Sequence, residues 1–263
     1  MGIEDEILNL PILEKRIGRN SPLFDLLVNN KSLVFRARNI LKSLKSNNYI
    51  HDAIVKECIN ENSVKSFEDK LAKYHVASVF KEAGCTINKI ELKNKKCLKK
   101  TDIECEYNNT IILIEVKHMN ITPDEQDIEK EAFNKGELSY DIPYKKAHCI
   151  PLPCNDPLIE SVTDHSKEIS KFKEYLKSAE KQIAASKKNY SFETYGIVAF
   201  VVSSILFDEE ELKIAFWHYL NETNNLNIVS ATMFIKYPFL QKIYINRKQN
   251  TSKNIVSLLK IIA

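Results

Sequence analysis

Apolar positions along this chain follow two periods, and the switches between them mark out the elements. Phe67, Leu71, Ala72, Val76, Val79, Phe80 and Ala83 recur at helical spacing. They predict a helix begun by Ser66, with Asp69 at the capping-box position and Gly84 as its C′ stop. Upstream, residues 1–62 read as helical. Ser32 is placed to cap the segment SLVFRARNILKSLKS, in which Leu33, Ala37, Ile40, Leu41 and Leu44 form one apolar face. After Gly84 the period shortens. CTINKIEL reads as a short strand, KNKKCLKK as a lysine-rich turn, and TDIECEYNNTIILIEVK as two alternating legs around an Asn-Asn turn.

Residues 120–164 are polar and carry Pro123, Pro143, Pro151, Pro153 and Pro157. So long a stretch without a period suits an insertion, a lid or a substrate loop. A strong helix is predicted over His165–Lys188, with Ile169, Phe172, Leu176, Ala179 and Ile183 on one face. Tyr195–Ser203 reads as a strand buried on both faces. A helix over Glu209–Leu220 and one or two strands within Asn227–Arg247 follow, and KNIVSLLKIIA ends the sequence as a strand or a short helix. This order predicts an α/β fold with a mixed central sheet flanked by helices. The division it suggests is an N-terminal helical region over 1–62 and an α/β core over 63–263, irregular near 120–164.

Composition narrows the function. Of 263 residues, 44% are apolar, enough for a sizeable core, and the formal charge of +3 permits an anionic partner without requiring one. The five glycines form neither GxGxxG nor GxxxxGK[ST], which excludes a Gly-rich nucleotide cradle. MGIEDEILNL has neither a basic n-region nor a long apolar h-region, so no secretory signal is expected, and the longest apolar run, near Gly196–Phe207, is too short to span a bilayer. A cytoplasmic, intracellular protein with no membrane partner is therefore expected. The six cysteines form no CxxC and are expected as free thiols; His148, Cys149, Cys154 and His165 fit no standard zinc spacing.

The hairpin carries the candidate chemistry. With Asn108-Asn109 as a two-residue type I′ turn, Tyr107 faces Thr110, Cys105 faces Ile112 and Ile103 faces Ile114. Asp102 then falls opposite Glu115, with Lys117 two residues on and on the same side. Ile103, Cys105, Ile112, Ile114 and Val116 point to the other side, toward a core. Two carboxylates that close repel unless a cation intervenes, and carboxylates with water suit Mg²⁺ or Mn²⁺. The alternative is a salt-bridged strand end in which Lys117 pairs both acids. Glu-x-Lys recurs at Glu68–Lys70, Glu91–Lys93 and Glu211–Lys213, so only the phase with Asp102 singles out Glu115–Lys117.

Asp102, twelve intervening residues and Glu115-Val116-Lys117 resemble the motif of the PD-(D/E)XK nuclease superfamily, which has the restriction-endonuclease-like fold. The order of helix, strand, acid-bearing hairpin and helix is similar to that family's core, over roughly residues 66–203. Thr101 stands where the family often has proline. The resemblance implies Asp102 and Glu115 as metal ligands, the Val116 carbonyl completing the shell, and Lys117 as the catalytic lysine. It offers Glu68 as an acid from the first core helix, although that residue also reads as a first-turn acid complementing the helix dipole. It offers Gln182, or Lys181 as second choice, from the following helix. The implied activity is Mg²⁺-dependent hydrolysis of DNA phosphodiesters, with Mn²⁺ able to substitute. A restriction or defence-type endonuclease is expected, homodimeric if both strands are cut. A Holliday-junction resolvase, a repair nuclease, a non-catalytic nucleic-acid-binding module of the same fold and an unrelated scaffold remain the alternatives. Lys93, Lys95, Lys96, Lys99 and Lys100, the lysines of helix 165–188, and Arg36, Arg38, Lys42 and Lys45 read either as solvated faces or as phosphate contacts.

Overall fold

The computed structural model describes residues 9–45, 63–90, 101–119, 165–191, 193–202, 209–223, 228–236, 240–248 and 252–263. The lysine-rich turn, the 120–164 segment with His148, Cys149 and Cys154, and residues 46–62 lie outside them. Three helices come first: α1 (Leu10–Ile17), α2 (Pro22–Asn29) and α3 (Lys31–Ser43). Then follow α4 (Val64–Glu82), β1 (Thr86–Ile90), β2 (Ile103–Tyr107), β3 (Thr110–Met119) and α5 (His165–Lys187). The remainder is β4 (Thr194–Val202), α6 (Glu209–Glu222), β5 (Ala231–Lys236), β6 (Leu240–Ile245) and α7 (Lys253–Ile262).

The six strands form one sheet in sequence order. Pairing is antiparallel from β1 to β3, parallel from β3 through β4 to β5, and antiparallel to β6. The fold is thus α/β with a mixed sheet flanked by helices. On one face, Ile112, Ile114 and Val116 of β3 join Ile197, Ala199 and Val201 of β4 in a core with α2, α3, α4 and α7. On the other, Met119, Val198, Phe200 and Phe234 pack against Phe172, Leu176, Ala179 and Ile183 of α5 and against α6. Every residue of β4 is buried, as its apolar run predicts for a central parallel strand.

Two local expectations move, and one open alternative resolves. Helix α4 starts at Val64, not Ser66, and its cap is Ser63, whose hydroxyl accepts from the Ser66 N–H. Two serines three residues apart offered the same capping chemistry, and the earlier one wins because half-buried Val64 adds a turn. Asp69 is therefore inside the helix. Likewise α3 is capped by Asn30, which accepts from Leu33 N–H, rather than beginning at Ser32. The terminal segment is a helix capped by Ser252, burying Ile255, Leu258, Leu259 and Ile262. Gly84 does end α4: with φ +93° it sits at C′, its N–H donates to Lys81 O, and Cys85 N–H donates to Phe80 O. That pairing is a Schellman stop.

One glycine decides how closely α5 approaches the sheet. A Cβ on Gly196 of β4 would lie 2.6 Å from Ile183 Cγ2 and would overlap the Ile228 carbonyl. Only glycine lets α5 seat that low, and α5 carries residues that reach the hairpin end. Cys85 and Cys105 are buried free thiols, as expected. Among the described residues no helix is long and apolar enough to cross a membrane.

Candidate active site

Asn108 and Asn109 adopt φ of 48° and 61°, the left-handed pair that a type I′ turn requires. Asn tolerates this region because its short polar side chain bonds locally. The turn fixes the register counted from the sequence: Tyr107 pairs Thr110, Cys105 pairs Ile112, and Ile103 pairs Ile114. Asp102 lies one residue before β2, where the ladder ends. The next position on β3 is Glu115.

Both acids are buried, Asp102 at 8% and Glu115 at 2% exposure. Asp102 replaces a rung of the ladder, since its Oδ2 accepts the Val116 N–H at 2.9 Å. Its Oδ1 lies 2.5 Å from Lys73 Nζ of α4. Glu115 Oε1 accepts from Lys117 Nζ at 2.8 Å, while Glu115 Oε2 is buried with no hydrogen-bond partner among the described residues. Lys117 Nζ also donates to Gln182 Oε1 of α5 at 3.1 Å. One turn on, Ser186 Oγ accepts the Thr101 N–H at 3.0 Å. Helix α5 therefore touches both legs of the hairpin at i and i+4, steadying Lys117 on one and the approach to Asp102 on the other.

The electrostatics follow from this packing. Burial pushes the Glu115 carboxyl up to about 7, the Asp102 charge pushes the same way, and Lys117 and Lys73 oppose both. The two acids thus repel across the hairpin end as the register count required. Each has its own lysine. The alternative arrangement, in which Lys117 pairs both acids, is not the one found: Lys117 serves Glu115 and Gln182, and Lys73 serves Asp102.

A hard divalent cation fits this donor set. An unpartnered buried carboxylate oxygen beside a second carboxylate offers the oxygen ligands Mg²⁺ and Mn²⁺ take, and Mg²⁺ commonly binds through one or two carboxylates with water completing its shell. Asp102 and Glu115 would hold it, with the carbonyl of Val116, next to Glu115 on β3, as a further oxygen. Among the described residues no three His, Cys, Asp or Glu side chains gather as a metal cage.

Glu68 joins a different cluster. Burial raises its pKa, opposed by His118 and Arg36 and reinforced by Asp69. Asp69 Oδ1 bonds His118 Nδ1 at 2.9 Å, which is where the supposed capping-box acid goes. His118 follows Lys117 on β3 and faces α4 instead of α5. Arg36, read as lying off the apolar face of its helix, is half-buried and bears on Glu68 and on His75, whose imidazole is pushed down to about 4 chiefly by burial. Gln182 is brought to the site, whereas Lys181 is exposed. Of the lysines on α5 read as phosphate contacts, Lys173 and Lys177 are paired with Glu222 of α6.

Lys73 and Ser186 were not singled out by sequence reasoning. Ser186 had a signal, four residues beyond Gln182 on one face. Lys73 had none, because its meeting with Asp102 depends on where α4 lies across the sheet. No family model matches this chain, and no curated protein or solved structure does.

Proposed function

We propose that this protein is a metal-dependent nuclease of the restriction-endonuclease-like kind, hydrolysing phosphodiester bonds in DNA. The observation that carries the reading is the buried Asp102–Glu115 pair with the Glu115 Oε2 lone pairs unclaimed beside Lys117. Burying two adjacent carboxylates is unfavourable, and a fold retains such an arrangement when the site has work for it. Asp102 and Glu115 hold Mg²⁺ in this reading, with Mn²⁺ able to substitute. Bound there, the ion supplies Lewis-acid polarisation of a phosphoryl oxygen and a more acidic water.

The chain's own residues do the rest. Lys117, held by Gln182 and only 15% exposed, presents an ammonium at the acid pair. It stabilises the attacking hydroxide and the charge that builds on the phosphorus oxygens. Water gives up a proton to solvent, the resulting hydroxide oxygen bonds to phosphorus, the bond to the leaving sugar oxygen breaks, and that oxygen takes up a proton from solvent. Gln182 and Ser186 position rather than react. Residues 9–45 carry eight basic and two acidic side chains in a chain whose net charge is only +3, and α3 holds no acid at all. That local excess supports a polyanionic substrate. Helices α1–α3 are additions a minimal nuclease core does not need, which favours a restriction or defence-type enzyme over a junction resolvase.

A second reading has its own support. Three of the four carboxylate oxygens of Asp102 and Glu115 are partnered, so the cluster also suits an inert ion-pair network in a nucleic-acid-binding module. Incubation of plasmid and linear DNA with wild-type, Asp102→Ala and Lys117→Ala proteins, with and without Mg²⁺ or Mn²⁺, separates the two. Metal-dependent cleavage lost in both variants supports the nuclease. DNA retention without cleavage by the wild type supports the binding module.

A further inference from the structure

The two acids of the site are neutralised unequally, and the difference assigns a role to Lys73. This inference rests on the nuclease reading above. On Glu115, Lys117 uses Oε1 and leaves Oε2 unpartnered among the described residues, so a cation can join Glu115 without moving Lys117. Gln182 further holds Lys117 where it is. On Asp102 both oxygens are engaged. Oδ2 takes the N–H of Val116, a backbone group fixed by the pairing of β3 with β4, and Oδ1 takes the Lys73 ammonium at 2.5 Å.

A carboxylate oxygen has a second lone pair, but a divalent ion placed on Oδ1 would stand within a few Å of the ammonium, and two cations that close repel. One partner must yield. The backbone N–H cannot leave without unpicking the strand, whereas Lys73 sits on a flexible four-carbon stem. Its side chain is 24% exposed and has water to retreat into. Charge counting agrees. Two acids and two lysines sum to zero; adding a divalent ion leaves +2 in a buried site, and releasing Lys73 brings it to +1.

We propose that Lys73 is a displaceable counter-ion, an internal competitor that holds Asp102 until a divalent metal takes its place. Lys73 thereby sets the metal concentration at which the site fills, and keeps the acid pair closed below it.

Mn²⁺ titration of the full chain, following the free-ion paramagnetic resonance signal and the melting temperature, tests this without reference to activity. Lys73→Met and Lys73→Gln remove the competing charge, and each is expected to bind Mn²⁺ about tenfold more tightly than wild type. Lys73→Arg keeps the charge and is expected to bind like wild type. Mn²⁺ is also expected to raise the melting temperature of Lys73→Met more than that of the wild type. Equal or weaker binding by both neutral variants, in folded protein, overturns the proposal while leaving the nuclease reading standing. Absence of Mn²⁺ binding by the wild type overturns both.

Discussion

Replacing Glu115 with glutamine should stabilise the fold, and by an amount that grows with pH. The folded carboxyl is pushed from its ordinary 4.5 to about 7, first by burial and then by the Asp102 charge. Between these values the folded chain keeps a proton that the unfolded chain releases. Stability contributed by neutral Glu115 is thus fully present below about pH 4.5 and is lost as pH rises through about 7. Each unit is worth about 1.4 kcal/mol, so the loss approaches about 3 kcal/mol once both states are ionised. Glutamine cannot ionise, has nearly the same shape, and still offers Oε1 to Lys117. Thermal unfolding in chelator, at about pH 5 and about pH 8, isolates the effect because other titrating groups cancel in the difference between wild type and variant. The Glu115→Gln advantage should be no more than about 1 kcal/mol at the lower pH, where little of the neutral-state stability has yet been lost. It should reach roughly 6–12 °C at the higher one for a chain of this size. An advantage that is the same at both pH values, or that shrinks as pH rises, refutes the picture of a strained, buried carboxylate.

Other consequences are read with simpler variants. Ser186→Ala leaves the Thr101 N–H without its acceptor; it should lower stability by about 1–2 kcal/mol in urea unfolding and weaken Mn²⁺ binding through a looser Asp102. Gly196→Ala drives a methyl into Ile183 and the Ile228 carbonyl, and should lower stability by about 1–3 kcal/mol or more, with Gln182 displaced from Lys117. The double change Lys31→Glu, Lys42→Glu on the exposed side of α3 should weaken DNA binding about equally for unrelated sequences. It should also flatten the slope of log affinity against log salt by about 2, with the single-turnover cleavage rate on saturating DNA unchanged.

How much of this was readable in the sequence depends on the range of the forces involved. The hairpin register was legible because it is set locally: two asparagines accept positive φ, and strict alternation fixes which residues face the core. The same alternation put Glu115 and Lys117 on one side; Gln182 was named only through the resemblance, and α5 brings it to Lys117. The central position of β4 was legible from its unbroken apolar run. Helix starts were legible only to within a few residues, since Ser63 and Ser66, or Asn30 and Ser32, offer the same capping oxygen. What was not legible is lateral placement. Lys73 and Glu68 share α4, yet one reaches Asp102 and the other sits with His118, and only the seating of the helix on the sheet decides which. Glu68 was carried to the site by resemblance and is grouped elsewhere; Lys73, with no motif to mark it, is the residue in contact.

The most direct test of the central claim, that Asp102 and Glu115 form a metal site, is anomalous diffraction from crystals soaked in Mn²⁺. The expected result is one strong peak at roughly 2.0–2.3 Å from an oxygen of Asp102 and from Oε2 of Glu115, with the Lys73 ammonium moved off Asp102. A map with no peak there, and with Lys73 still paired to Asp102 at saturating Mn²⁺, would contradict it.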